Sequence, residues 1–160
     1  MQNSVMKVAI IGAGPRGLWA SEELMERARE RSAAIDVTVF DAKPLEESSA
    51  PGAFRDSVPE EFILNAPKSI VETKLGPLDP NDELPGDFPS RKHVGEHLDK
   101  SWRALEENLP PRCSLTHRVE NIEMVEPTEG GVDVLGEHFD EVLMVTGHAH
   151  DWPGSLAHAD

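Results

Sequence analysis

The chain has 160 residues and 38% hydrophobic content, enough for one sizeable core but crowded for two full α/β domains. Its 30 acidic residues outnumber 15 basic ones, giving a formal charge of −15. Such a surface repels phosphate backbones and anionic headgroups, which argues against nucleic acid and membrane partners. The only cysteine, Cys113, excludes an internal disulfide and a redox-active cysteine pair, and fits a cytoplasmic location.

In chain order, Met6 to Ile11 form a β-branched apolar run, the pattern of a strand buried on both faces of a parallel sheet. Its unbroken apolar part, Val8 to Ile11, is too short for a signal-peptide core, and no stretch of the chain is long and apolar enough to span a membrane. From Pro15 to about Arg31, Leu18, Trp19, Leu24, Met25 and Ala28 recur at helical spacing, which predicts an amphipathic helix. Asp36 to Phe40 read as a second strand closed by Asp41. Strand, turn, helix and strand make a βαβ unit whose crossover is expected to be right-handed.

A Pro-, Gly- and acid-rich excursion follows from about residue 42 to 91, with one island fit for burial, Glu61 to Ile70. That is too long for a plain loop and reads as a functional insertion. Val94, Leu98, Trp102 and Leu105 then mark a second helix from Lys92 to about Asn108, stopped by Pro110 and Pro111. Strand candidates are Ser114 to Arg118, Asn121 to Val125, Val132 to Leu135 and Glu141 to Thr146, with Gly130, Gly131 and Gly136 punctuating a hairpin or small meander. The expected architecture is a three-layer, Rossmann-like α/β domain over residues 1–150, with a mainly parallel sheet, a small antiparallel β element and an irregular tail at 151–160.

The turn Gly12-Ala13-Gly14-Pro15-Arg16-Gly17 carries the clearest chemistry, because it lies between the first strand and the first helix. Gly12 permits the tight turn, Gly14 lets backbone approach a diphosphate, and Gly17 lets the helix pack against the strand. Amides at the helix start, with roughly half a positive charge from the macrodipole, then face the phosphates. Pro15 costs little there, since a first-turn amide has no intrahelical partner. Arg16 opposes the helix dipole unless a phosphate sits beside it; a solvated arginine is the other reading. Asp41 stands where an acid reaches ribose hydroxyls and disfavours a 2′-phosphate, which makes NADP the least fitting occupant; a turn or cap aspartate is the plainer alternative.

These features extend to a family. The segments KVAIIGAGPRGLWA, VTVFD, FILNAPKSIV, RKHVGEHL and VLMVTGH resemble the N-terminal part of FAD/NAD(P)-binding flavoproteins of the glutathione-reductase-like and flavin-monooxygenase-like groups. The resemblance implies that Gly12, Gly14, Arg16 and Gly17 hold pyrophosphate and that Asp41 holds ribose. It further implies that Val119 meets adenine through its backbone, that Thr146 and Gly147 turn near the cofactor, and that Asn65 lies toward the flavin. Val145 stands where those relatives carry alanine, a mild departure. FAD is placed ahead of NAD, because an ordinary NAD unit returns to its sheet soon after its second strand. Complete relatives continue into a C-terminal FAD motif, so a partner chain or further sequence is expected to complete the flavin site. The implied function is the FAD-binding portion of a flavin-dependent oxidoreductase or monooxygenase. The alternative is a non-catalytic module that binds NAD, ADP-ribose or a partner.

Other constellations are weaker. His93, Glu96 and His97 fit an H-x-x-E-H zinc pattern, but such a site also needs a third ligand and a substrate cleft, and a solvated helix face is the expected reading, so no metal is assigned. His148, His150 and His158 read as surface histidines, with His148 the one that could abut a cofactor. Trp19 and Trp102 are expected in the core. No nucleophile elbow or triad is recognisable, and the sequence names no catalytic residue.

Overall fold

In the computed structural model, which describes residues 5–44, 54 and 59–147, β1 (Met6–Ile11) leads through the glycine turn into α1 (Pro15–Arg31) and then β2 (Ile35–Asp41). The excursion holds a 3-10 turn at Lys68–Ile70 and the short strands β3 (Glu72–Thr73) and β4 (Gly76–Pro77). After it come α2 (Arg91–Glu107), β5 (Cys113–Val119), β6 (Glu126–Thr128), β7 (Gly131–Val134), β8 (Glu137–Phe139) and β9 (Glu141–Met144). A four-stranded sheet in the order β5-β2-β1-β9 has every pair parallel, and β6-β7-β8 form a separate antiparallel sheet.

The twofold periodicity of β1 builds the layers. Val8 and Ile10 face one way, joining Val37 and Val39 of β2 against Leu18, Met25 and Ala28 of α1 and Val94, Leu98 and Trp102 of α2. Ala9 and Ile11 face the other way and pack with Phe40 against Val134 and Phe139 of the antiparallel sheet. The rings of Phe40 and Phe139 meet edge to face, with centroids 5.9 Å apart. Helices, parallel sheet and antiparallel sheet thus form the three layers expected of the Rossmann-like α/β class.

Helix α1 starts with Pro15 and ends at Ser32, whose left-handed φ of 51° stops it, while Arg29 and Arg31 complement its C-terminal dipole. It buries Gly17, Leu18, Ser21, Glu22, Met25 and Ala28, one stripe at helical spacing. Trp19 is turned about 100° from Leu18, away from that stripe, and is 47% exposed, so the expectation of a core tryptophan fails there. Trp102, on the buried stripe of α2, is 0% exposed.

Asn121 to Val125 form no strand: Ile122 and Val125 pack on the second apolar cluster, but the ladder begins only at Glu126. The last candidate strand ends at Met144, although Val145 N–H still donates to Ile11 O at 2.8 Å.

The described stretch of the excursion from residue 59 to 91 is a lobe with its own bonding. Leu64 N–H donates to Pro89 O and Arg91 N–H to Phe62 O, each at 2.8 Å, which ties residues 62–64 to the segment that enters α2. Inside it the Lys68 ammonium reaches Asp79 at 2.8 Å and Asp82 at 2.6 Å and donates to Leu84 O at 2.8 Å. The hairpin β3-β4 ties the lobe to both helices: Lys74 N–H donates to Glu22 Oε1 at 3.0 Å, and Thr73 Oγ1 lies 2.8 Å from Ser101 Oγ. The island Glu61 to Ile70 is less buried than its composition suggests. Leu64 packs on the core, but Phe62, Ile63 and Ile70 are exposed, because one isolated bridge to Ser90 is the only sheet pairing found there among the described residues.

Candidate functional site

Strand β1 has β2 on one side and β9 on the other. The chain runs outward from β1 through β2 to β5, then returns by the antiparallel sheet to the opposite side, so the strand order reverses between β1 and β9. In open α/β sheets, ligands bind beyond the carboxyl ends of the strands at such a point. The glycine turn follows β1 at that end, and Val145-Thr146-Gly147 follow β9 beside it.

Gly12 has φ +116°, and a Cβ there would lie 2.5 Å from the Val145 carbonyl oxygen. A Cβ on Gly17 would overlap the Gly12 carbonyl oxygen, so this residue sets how closely α1 can pass the turn. Gly14 is the N-cap, with φ −69° and ψ −171°, a conformation open to any residue. What glycine contributes at that position is therefore the absence of a side chain at the helix mouth. Among the described residues no side chain caps α1, and no acid lies in its first turn, whereas Ser90 Oγ caps α2 by accepting from His93 N–H at 3.2 Å. The positive end of the α1 dipole is left for another anion. Arg16 is exposed at this mouth.

Asp41 belongs to the turn as much as to any ligand. Its Oδ2 accepts from Ala13 N–H at 2.9 Å and its Oδ1 from Lys43 N–H at 3.1 Å. A carboxylate offers about four lone-pair positions, so a ribose hydroxyl can still be added. Val119 is the register partner of Asp41 on β5 and is 58% exposed, and Glu120 N–H donates to Asp41 O at 2.9 Å. The carboxyl ends of β5, β2, β1 and β9 thus gather Val119, Asp41, the glycine turn and Thr146-Gly147 along one rim. Residues 9–149 match the family described as FAD-NAD(P)-binding. The chain belongs to that family.

Among curated proteins none matches the chain. Asn65 stands apart: it is exposed in the lobe, and among the described residues no hydrogen bond ties it to the turn.

A contact that sequence reasoning misses comes from α2. Trp102 Nε1–H donates to Ala13 O at 3.1 Å from a fully buried ring whose neighbour, His117, meets it edge to face at 4.8 Å. A buried indole N–H needs an acceptor, but nothing in the sequence says which carbonyl supplies it.

His97 corrects the expectation of a solvated helix face. It is 7% exposed, with Nε2 3.2 Å from Thr73 Oγ1, and burial pushes its pKa down. His93 Nδ1 lies 3.0 Å from Ser90 Oγ, and Glu96 is exposed. Among the described residues no group of three or more His, Cys, Asp or Glu could hold a metal ion. His148, His150, His158 and the tail at 151–160 lie outside the described residues. Among the described residues no helix is long and apolar enough to cross a membrane.

Proposed function

We propose that this chain is the FAD-binding portion of a flavin-dependent oxidoreductase or monooxygenase, acting in the cytoplasm, with a partner chain or further sequence completing the flavin site. The observation that carries the reading is the uncapped mouth of α1 at the point where strand order reverses, with Asp41 bonded into the same turn. Backbone N–H groups of Gly14, Arg16 and Gly17, with the Arg16 guanidinium, hold the pyrophosphate; Pro15 presets the helix backbone. Asp41 takes the adenosine ribose, and the backbone at Val119 takes the adenine edge. Thr146 and Gly147 close the rim, and Asn65 faces the flavin end. The flavin, when bound, supplies the redox chemistry. The chain's own residues bind and orient it.

The preference for FAD over NAD rests on the excursion between β2 and α2, which folds as a lobe on both helices where an ordinary NAD unit returns directly to its sheet. Purified protein that is yellow with flavin absorbance supports this reading. Colourless protein that binds only NAD or ADP-ribose replaces it with a nucleotide-binding module. Gly14→Leu is the sharper test, because leucine fits the observed backbone angles: dinucleotide affinity collapses while the fold survives. Unchanged affinity in that variant removes the turn from the site.

A further inference from the structure

Two peptide units of the glycine turn are held from inside the protein, and each hold sets the direction of the group at its other end. Among the described residues no peptide bond is cis. A trans peptide is planar, so its C=O and the following N–H point in opposite directions. The unit joining Gly12 and Ala13 is pinned at its N–H by Asp41 Oδ2, while its carbonyl oxygen is packed against Gly17. The unit joining Ala13 and Gly14 is pinned at its C=O by Trp102 Nε1–H, 89 residues away in sequence. Ala13 is 1% exposed and Trp102 0% exposed, so this bond points the Ala13 carbonyl into the core. The Gly14 N–H, at the other end of the same rigid unit, must then point outward at the mouth of α1.

We infer that Trp102 is a positioning residue for diphosphate binding: its indole N–H fixes the Ala13-Gly14 peptide so that the Gly14 amide, and not the Ala13 carbonyl, faces the anion. This deepens the dinucleotide reading and rests on it. Without the indole donor, this peptide can turn about Ala13 ψ and Gly14 φ, a change that glycine at position 14 tolerates, and the rotated unit presents a carbonyl oxygen that repels phosphate. Phenylalanine preserves an aromatic ring in the cavity but carries no donor. The larger effect falls on the phosphate contact, because the β2–β5 ladder positions Asp41 and Val119 and phenylalanine keeps a ring against His117 of β5.

The test compares ADP with adenosine on the full chain, in wild type and in Trp102→Phe. The expected result is an ADP affinity about tenfold weaker in the variant, with adenosine affinity within about twofold of wild type. Equal losses for both ligands reduce Trp102 to a purely structural residue and overturn the inference. A second measurement on wild type is independent of the variant's folding: in amide and indole proton–nitrogen spectra, ADP is expected to move both the Gly14 amide and the Trp102 indole resonance, while adenosine leaves Gly14 in place. A Gly14 amide that ADP does not move, in a protein that binds ADP, overturns the clamp alone. A wild-type protein that binds no ADP removes the dinucleotide reading beneath it.

Discussion

Gly12 and Val145 lock the ends of β1 and β9 together: Val145 N–H donates to Ile11 O at 2.8 Å, and the Val145 carbonyl leaves no room for a Cβ on Gly12. The obstruction is backbone, which cannot swing aside as a flexible side chain can. Gly12→Ala is therefore expected to destabilise the protein by about 2 kcal/mol or more, from the positive φ and the overlap together. It should also part the two strand ends that frame the turn, so nucleotide affinity falls with stability. Thermal unfolding beside a nucleotide titration checks this, and a variant with wild-type midpoint and affinity contradicts the packing described.

Asp41 receives two amides on two oxygens. Asparagine has one acceptor oxygen and one amide group, so Asp41→Asn keeps at most one of those bonds and points a donor at the other N–H. The expected cost is about 1–2 kcal/mol of stability. With the charge removed, the repulsion of a 2′-phosphate also goes, so any discrimination between NAD and NADP that the carboxylate imposes should narrow. Measuring both affinities separates the roles: a stability loss with an unchanged preference assigns Asp41 to the turn alone.

The elements that local chemistry punctuates were legible in the sequence. Gly12, Gly14 and Pro15 mark the start of α1, Pro110 and Pro111 follow α2, and the β-branched runs give β1 and β2. The burial of α1 was legible only in part, since Trp19 and Leu18 are adjacent and periodicity alone does not say which of them centres the stripe. What was not legible depends on contacts distant in the chain. β8 is three residues long, too short to show any period, and exists because Val132 pairs with Phe139. The segment before β6 has strand-like composition but, among the described residues, no ladder partner. In the candidate site the turn and Asp41 could be read from spacing, whereas the Trp102–Ala13 bond could not, because a tryptophan on an apolar stripe looks the same whether or not its N–H serves a loop.

The lobe's ion pairs give it a pH window. The bond to Lys68 holds the Asp79 carboxyl below its ordinary value, helped by the N–H groups of Glu83 and Leu84, and the same bond holds the Lys68 ammonium above its ordinary value. A carboxylate lowered on folding stabilises above its unfolded pKa, near 3.8, and loses that contribution as pH falls through the folded value. A raised ammonium stabilises below 10.5 and loses its contribution as pH rises through the folded value. Amide exchange in residues 62–91 should accordingly show a plateau of protection between these limits, beyond the intrinsic pH dependence of exchange. Asp79→Asn should lower the plateau, with the difference from wild type closing in acid. An unchanged plateau in the variant would show that the backbone bonds at Phe62 and Leu64 hold the lobe without Lys68.

Glu22 runs the opposite way. The residue is 4% exposed, and burial raises its carboxyl pKa against the lowering effects of the Lys74 N–H and the Lys74 charge, while Glu26 raises it further. The folded state then binds more protons than the unfolded chain between 4.5 and the raised value, so stability falls as pH climbs through that interval and stays reduced above it. Gln retains an oxygen for the Lys74 N–H and carries no charge to bury. Glu22→Gln should raise the unfolding midpoint near neutrality, by no more than about 1 kcal/mol given the screening by solvent and by Lys74, and should match wild type once the medium is acidic enough to protonate Glu22. A midpoint lowered at neutral pH would mean that the Lys74 ammonium, which pairs with Glu23 and Glu26, stabilises the Glu22 carboxylate more than burial penalises it.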